Sequence, residues 1–148
     1  TEDHGLRGNP FNQLVVPRPI GWISSVGADG PVNLAPFSFF NAVAYVPPQV
    51  MFATTGPHAS GGHKDSMRNA LASGEFVANL ATWELREAVN LTSAPAPRGV
   101  AELELAGLTT APSRLVAPPL AIKLRVSSAA SWGSRWRNIP RSASGSRR

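Results

Sequence analysis

The sequence predicts a mainly β fold with short helices, arranged as an antiparallel barrel with helical inserts. Three features indicate this class: the candidate strands are short, turn-forming residues separate them, and the chain contains two short helical patterns. A parallel sheet would instead need a crossover connection between successive strands. With 148 residues, the chain is long enough for one domain with its own hydrophobic core.

The segment 17–41 predicts two strands joined by a tight turn, and the other elements are organised around it. Residues 20–26 alternate between two faces, as the side chains of a strand do. Asp and Gly in the turn 27–30 tolerate the positive φ angles of a tight hairpin. The return strand runs over 32–35, and Pro36 interrupts it, which indicates an edge strand or a β-bulge.

A short helix is predicted over 65–73. Met67, Ala70 and Leu71 recur at the i, i+3 and i+4 positions of a helical stripe. Gly74 follows directly and is placed to end the helix, because Gly readily adopts the left-handed conformation of a C-terminal cap.

The remaining elements are short as well. Thr82 can cap a second helix, whose buried stripe runs from Leu85 to Thr92. The segment 93–99 is rich in Pro and predicts a loop, and 102–108 fits a helical turn or a strand equally well. The predicted strands and extended segments are 49–54, 75–81 and 115–120.

Charge divides the chain near residue 120. Residues 1–120 carry seven basic and nine acidic side chains, a net charge of −2, whereas residues 121–148 carry seven basic and no acidic side chains. The segment 121–148 also holds seven Ser and lacks strand-like alternation. We interpret it as an out-of-frame translation or, alternatively, as a disordered basic tail that could bind nucleic acid or an anionic surface. The predicted domain therefore spans 9–120.

Composition excludes several classes of chemistry. The chain has no Cys, which excludes disulfides, thiol catalysis and zinc–thiolate sites, so any redox chemistry must belong to a bound cofactor. No run of residues approaches the roughly 20 apolar residues of a membrane span. No secretory signal is visible, and we expect a cytoplasmic protein without membrane contact.

Four motifs resemble those of one family. PRPIGWIS at 17–24, NLAPFSFFNA at 33–42, the pair Pro47–Pro48, and Lys-Asp-Ser-x-x-Asn at 64–69 occur in an order similar to that of the flavin reductase-like family, flavoredoxin among them. The resemblance covers about 9–119. It implies an FMN-binding split β-barrel, a Greek-key antiparallel barrel that would here be truncated at its C-terminal end.

The loop 58–66 has the composition of an anion-binding loop. Its small residues allow close backbone approach, and a helix that starts near Asp65 would point free N–H groups outward. Lys64 and Ser66 add a cation and a hydroxyl, which together suit a phosphate monoester. The resemblance implies that Lys64 contacts the FMN phosphate. The alternative interpretation is an exposed Lys beside a helix cap.

Seven side chains of the hairpin can offer hydrogen-bonding groups or aromatic surface to a flat heteroaromatic ligand. They are the polar residues Ser24, Ser25, Asn33, Ser38 and Asn41, the last three on the return strand, and the aromatic residues Trp22 and Phe39. The resemblance implies that these positions line the isoalloxazine and ribityl groups of FMN. The alternatives are barrel core for Trp22 and turn chemistry for Asn33.

Two other kinds of site are not supported. His58 and His63 are five residues apart with Asp65 nearby, but no third ligand stands at a diagnostic spacing, so we predict no metal site. No Gly-x-Ser-x-Gly elbow occurs, which argues against a Ser-His-Asp hydrolase.

The resemblance implies an FMN-binding oxidoreductase that acts as a flavin reductase or as an electron carrier. NAD(P)H would reduce bound FMN, which would pass electrons to free flavin or to another acceptor, a flavin-dependent monooxygenase among them. A homodimer is also implied, no catalytic acid or base is predicted, and no nucleic-acid partner is expected. The alternatives are a flavin-binding protein without catalytic activity, and an incomplete barrel with a basic tail that interacts with nucleic acid.

Overall fold

The structure, a computed structural model, describes residues 5–28 and 31–122, and this part of the chain is mainly β with short helices. The strands are β1 (Gly21–Val26), β2 (Val32–Phe37), β3 (Phe40–Tyr45), β4 (Pro48–Phe52), β5 (Val77–Asn79), β6 (Thr109–Ala111) and β7 (Leu120–Ile122). The helices are α1 (Pro10–Leu14), α2 (Asp65–Ser73), α3 (Arg86–Leu91, preceded by a 3-10 turn at Trp83–Leu85) and α4 (Glu102–Leu105).

The described strands form three antiparallel sheets. Their strand orders are β2-β1-β5, β3-β4 and β6-β7. The predicted antiparallel architecture with helical inserts is therefore confirmed. The predicted strand over 75–81 is shorter than expected, and the segment 102–108 is helical in its first part, at α4.

The central hairpin pairs β1 with β2 in an uninterrupted register from Gly21↔Phe37 to Val26↔Val32. Pro36 lies opposite Trp22 in this register, and β2 is at the edge of its sheet. A Pro is tolerated there because its missing N–H costs no ladder hydrogen bond on the unpaired side. Of the two alternatives, the edge strand is correct, and the bulge expected at Pro36 is absent from the described β1–β2 pairing.

The predicted return strand is wrong beyond Phe37. The chain leaves β2 there and enters β3, which pairs with β4 in a different sheet. Ser38 therefore lies in the connection between β2 and β3, and Asn41 lies on β3 rather than beside Asn33. An irregularity in the β3–β4 register occurs between Ala42 and Ala44.

Strand β1 separates two hydrophobic clusters, as its predicted alternation requires. On one face Trp22 packs with residues of β2, α3 and α4, and on the other Ile23 packs with aromatic residues. Trp22 is fully buried, and its Nε1–H donates to Thr92 Oγ1 at 2.9 Å, which satisfies the indole donor. The buried members are Trp22, Leu34, Ala88, Leu103 and Leu108 in the first cluster and Ile23, Phe37 and Phe76 in the second.

Helix α2 has the predicted bounds, and Gly74 caps it with φ of 71°. Its buried face differs only in part from the predicted one: Ala70 packs against the second hydrophobic cluster as expected, but Leu71 is 67% exposed, while Ser66 and Asn69 are buried. Asn69 Nδ2 donates to Ser25 Oγ at 3.3 Å. The helix therefore docks on the hairpin through polar groups as well as through Ala70.

The second predicted helix corresponds to the 3-10 turn followed by α3. Its expected stripe is confirmed, because Ala88 and Thr92 are buried and Leu85 and Val89 pack against the first hydrophobic cluster. Thr82 occupies the N-cap position of the 3-10 turn, but its side chain makes no capping hydrogen bond to the backbone.

The segment 115–120, which we expected to be extended, contains bends before β7 begins. β7 includes Ala121 and Ile122, the first two residues of the predicted tail. The rest of that tail, 123–148, and the second half of the predicted turn 27–30 lie outside the described residues. Among the described helices, none is long and apolar enough to cross a membrane.

Candidate functional site

A cavity of about 310 Å³ lies where the edge strand β2 meets the N-terminus of α2. Its walls come from β2, from the loop 57–59, from the first residues of α2 and from the loop 92–96, together with Glu102. We name it the Lys64 cavity after its lining cation. Cavities of roughly 300–1,000 Å³ are typical of small-molecule sites.

Three of the predicted binding residues, Asn33, Lys64 and Ser66, line the Lys64 cavity. Ser66 is 1% exposed and Asn33 is 7% exposed, and the side-chain amide of Asn33 lies 2.7 Å from Ser66 Oγ. Lys64 occupies the N-cap position of α2, so its side chain begins where the unpaired N–H groups of the helix point outward. A cation, a hydroxyl and a helix N-terminus therefore share one wall.

An ion-pair network that the sequence analysis missed fixes this wall. Arg98 contacts the Asp65 carboxylate and also donates to the carbonyl oxygens of Gly61 at 2.6 Å and His63 at 3.0 Å. Arg68 Nη2 lies 3.0 Å from Asp65 Oδ1. Arg98 thus connects the Pro-rich loop 93–99 to the loop 58–66. The guanidinium groups of Arg98 and Arg68 together offset the charge of the Asp65 carboxylate at the start of α2. The only sequence signal for this role of Arg98 was the presence of a basic residue within a Pro-rich loop.

His58 also lines the Lys64 cavity. Its Nδ1 accepts a hydrogen bond from the Ser60 backbone N–H at 2.9 Å, so in the neutral ring Nε2 carries the proton. Nε2 lies 3.9 Å from Asp65 Oδ2. His58 and Asp65 therefore lie next to each other on the cavity wall.

Glu102, in the first turn of α4, is a second residue that the sequence analysis missed. Its side chain lines the Lys64 cavity, and Oε2 accepts from the backbone N–H of Leu34 at 3.3 Å. Burial raises the pKa of Glu102 above its ordinary value, and the nearby Asp65 carboxylate raises it further, against backbone hydrogen bonds that lower it. Its segment was ambiguous in the sequence, so its neighbours could not be foreseen.

A second cavity, of about 370 Å³, lies on the other side of Asn33 and Asp65, which line both. It is bounded by the start of the β1–β2 turn, by α2 and by Gly99 and Val100, and Arg68 contributes its cation. We name it the Arg68 cavity. The shared residues place the two cavities next to each other along α2.

Three predicted hairpin residues, Trp22, Ser24 and Ser25, lie in the interior and line neither cavity. Ser24 Oγ–H donates to the Pro119 carbonyl oxygen at 2.6 Å and accepts from Asn79 Nδ2 at 3.2 Å. Both serines are 0% exposed. Their hydroxyls are therefore engaged in packing contacts in this structure.

Of the last three predicted residues, Ser38 and Phe39 lie in the connection between β2 and β3, and Asn41 lies on β3; none of them lines either cavity. Phe39 stacks on Phe11 with ring centroids 6.2 Å apart, and the Arg18 guanidinium lies 5.3 Å from the Phe39 centroid. Asn41 is exposed, and its Oδ1 accepts from the N–H of Ala42 at 3.0 Å. The predicted set is thus divided among the Lys64 cavity, the core and this β3 surface.

Comparison with known proteins shows that this chain is similar in sequence to several of them. An "uncharacterized protein" of Aquifex aeolicus is 42% identical over 114 residues, which make up 77% of this chain and 58% of that protein. Nitrilotriacetate monooxygenase component B from Bacillus cereus is 32% identical in its solved structure, with a TM-score of 0.70 over 82% of this chain and 61% of that one. This chain therefore spans little more than half the length of these relatives.

The fold of this chain is also similar to that of solved structures. A Shewanella frigidimarina protein described as a flavin reductase with a split barrel domain matches with a TM-score of 0.68 over 81% of this chain and 58% of that one, at 20% identity, which shows the fold. The predicted split-barrel class is confirmed by this likeness. The family model for the flavin reductase like domain matches residues 13–128. The chain belongs to the flavin reductase like family.

Proposed function

We propose that this chain is the flavin-binding part of an oxidoreductase, that its cofactor is FMN, and that NAD(P)H is its reductant. The observation that carries the proposal is the meeting of Asn33, Lys64 and Ser66 on one cavity wall in a chain of this family. We assign the phosphate to Lys64, Ser66 and the N-terminus of α2.

The residues of the Lys64 cavity fit a phosphate monoester. Two carboxyl groups, of Asp65 and Glu102, line this cavity and would oppose an anion when ionised. Arg68 and Arg98 offset the charge of Asp65, and burial raises the pKa of Glu102 above its ordinary value, which favours its neutral form. Lys64 has no ion-pair partner within the described residues, so its amine is available to a ligand. The hydroxyl of Ser66 adds a donor at the same wall.

A bound flavin would accept electrons from a reduced nicotinamide and pass them to an acceptor. The part of this chain in that process is to hold and orient the flavin, and we assign no acid or base to it. As the acceptor we propose free flavin or a flavin-dependent oxygenase. The name of the Bacillus cereus relative, a monooxygenase component, supports the oxygenase.

We also propose that the chain forms a homodimer. The β3–β4 hairpin exposes several large apolar side chains, among them Val43 at 53%, Tyr45 at 87% and Val46 at 78%. Exposed apolar surface of this kind marks contact sites in many proteins. Sedimentation of the purified chain at several concentrations would test the dimer.

The decisive experiment is a titration of the purified chain with FMN, followed by absorbance and flavin fluorescence. We expect saturable binding of FMN and oxidation of NADH or NADPH that depends on added flavin. Binding without nicotinamide oxidation would favour a non-catalytic electron carrier, and the absence of any binding would refute the proposed function.

A further inference from the structure

The free edge of strand β2 forms one side of the Lys64 cavity. Asn33 and the segment 35–37 of this strand line the cavity, and β2 pairs with β1 alone among the described strands. The other walls come from the first residues of α2, from the two loops and from Glu102. A ligand in this cavity therefore meets the backbone groups of β2 that point away from β1.

The pairing of β1 with β2 shows which backbone groups these are, because successive residues of a strand direct them to opposite sides. The N–H of Leu34 lies 3.3 Å from Glu102 Oε2, so Leu34 faces the free edge. Pro36 is two residues further along and faces the same way. Its partner across the ladder is Trp22, whose carbonyl oxygen accepts from Asn79 Nδ2 at 2.9 Å, on the far side of β1. The backbone groups of this pair thus point away from each other.

Beside the cavity, the edge presents an acceptor and no available donor. Pro36 has no N–H, and a side chain already engages the N–H of Leu34. The carbonyl oxygen of Pro36 remains, and no donor within the described residues bonds to it. Pro36 is half-buried and lines the cavity. Because a buried carbonyl oxygen needs a hydrogen-bond partner, the ligand group that covers it must be a donor.

This acceptor lies apart from the donors that suit a phosphate. A phosphate dianion has no hydrogen to donate to a carbonyl oxygen, so its place is the wall of Lys64 and Ser66 rather than Pro36. Asn33 contacts Ser66 at 2.7 Å. At about 3.3 Å per residue of a strand, Pro36 lies roughly 10 Å along β2 from Asn33. That distance is about the reach of a five-carbon chain with its phosphate.

We propose that the carbonyl oxygen of Pro36 makes the Lys64 cavity selective for a polyol phosphate, a phosphate ester whose chain carries hydroxyl groups. In FMN, a hydroxyl of the ribityl chain donates to this oxygen while the phosphate lies at Lys64 and Ser66. Removal of that hydroxyl leaves the carbonyl oxygen without a partner beneath the ligand, which weakens binding. This inference deepens the proposed function and rests on its assignment of the phosphate.

The test compares FMN with three analogues that each lack one of the ribityl hydroxyls. We expect one analogue to bind roughly threefold to tenfold more weakly than FMN. In the isotope-labelled chain, the carbonyl carbon of Pro36 is detected by NMR through the amide of Phe37. Its signal should shift when FMN binds and should shift much less with that analogue. A carbonyl signal that ignores FMN, or that responds equally to FMN and to all three analogues, would overturn the inference.

Pro36→Ala provides a reporter for the free edge, because the new N–H points to the same side as the carbonyl oxygen. In the ligand-free chain this amide should exchange rapidly with solvent, and FMN should slow its exchange. The amide of Val32 is the matched control, since it faces the same edge but lines neither cavity. Slow exchange of the new amide before ligand is added would overturn the inference, because the edge would already be paired.

Fragments without the flavin ring separate this inference from the proposed function. Ribitol phosphate and n-pentyl phosphate carry the same charge and differ in their hydroxyl groups. The carbonyl signal of Pro36 should shift with ribitol phosphate and stay unchanged with n-pentyl phosphate. That result in a chain that binds no FMN would support the polyol selectivity and refute the proposed function. Tight FMN binding without any difference between the two fragments would leave the proposed function standing and overturn this inference.

Discussion

Replacing Lys64 with Ala should weaken FMN binding while it leaves riboflavin binding nearly unchanged. The two ligands differ by the phosphate that Lys64 is proposed to contact. Lys64 lines the cavity at the N-terminus of α2 and makes no ion pair within the described part of the chain. Its loss therefore removes one potential ligand contact and leaves no carboxylate newly unpaired.

The magnitude follows from the environment of this amine. A hydrogen bond to a charged group contributes about 1.5–3 kcal/mol. Lys64 is only half-buried, so solvent screens part of its charge, and we expect the lower end of that range. Each 1.4 kcal/mol corresponds to about a factor of ten in affinity, so the FMN dissociation constant should rise roughly tenfold.

Arg86→Ala is the matched control for this prediction. Arg86 is a cation whose side chain is 48% exposed, pairs with Glu87 on α3 and lines neither the Lys64 cavity nor the Arg68 cavity. Fluorescence titrations with FMN and riboflavin, at low and high salt, should show a selective loss of FMN binding in the Lys64 variant. Equal losses for both ligands, or the same loss in the Arg86 variant, would refute the phosphate contact.

Three further substitutions test the fold around the site. Arg98→Ala should free the loop 58–65 and increase its hydrogen exchange, since Arg98 donates to two carbonyl oxygens there; unchanged exchange would contradict this. Gly21→Ala should lower the free energy of unfolding by about 1–3 kcal/mol, because its Cβ would lie 2.4 Å from the Phe40 ring, and Phe40→Leu should restore part of it in urea melts. Thr92→Val should lower stability by about 1–3 kcal/mol by leaving Trp22 Nε1–H unpaired; a loss below about 0.5 kcal/mol would show that the hydrogen bond is dispensable.

Local patterns were enough to predict several elements of this fold. Alternation placed Trp22 and Ile23 on opposite faces of β1, and both faces are buried in separate clusters. Helical spacing and Gly74 gave the bounds of α2. These features depend on residues close in sequence, which is why they could be predicted from the chain alone.

Long-range contacts set the parts of the site that were missed. Arg98 reaches Asp65 across 33 positions, and Glu102 reaches Leu34 across 68 positions. No local periodicity encodes such contacts. The return strand was misassigned for a related reason, because the sequence does not show that the chain changes sheets after Phe37.

The polar docking of α2 connects the stability of the fold to the properties of the site. Ser66 and Asn69 are buried against the hairpin, whereas the apolar Leu71 faces solvent at 67% exposure. Polar contacts contribute less per buried area than apolar packing, but they fix orientation, and an unsatisfied member is costly. Within the described residues, no buried side-chain polar atom lacks a partner. Because Ser66 both anchors α2 through Asn33 and lines the Lys64 cavity, its substitution alters ligand contact and helix docking together, and affinity must be measured alongside stability to separate the two.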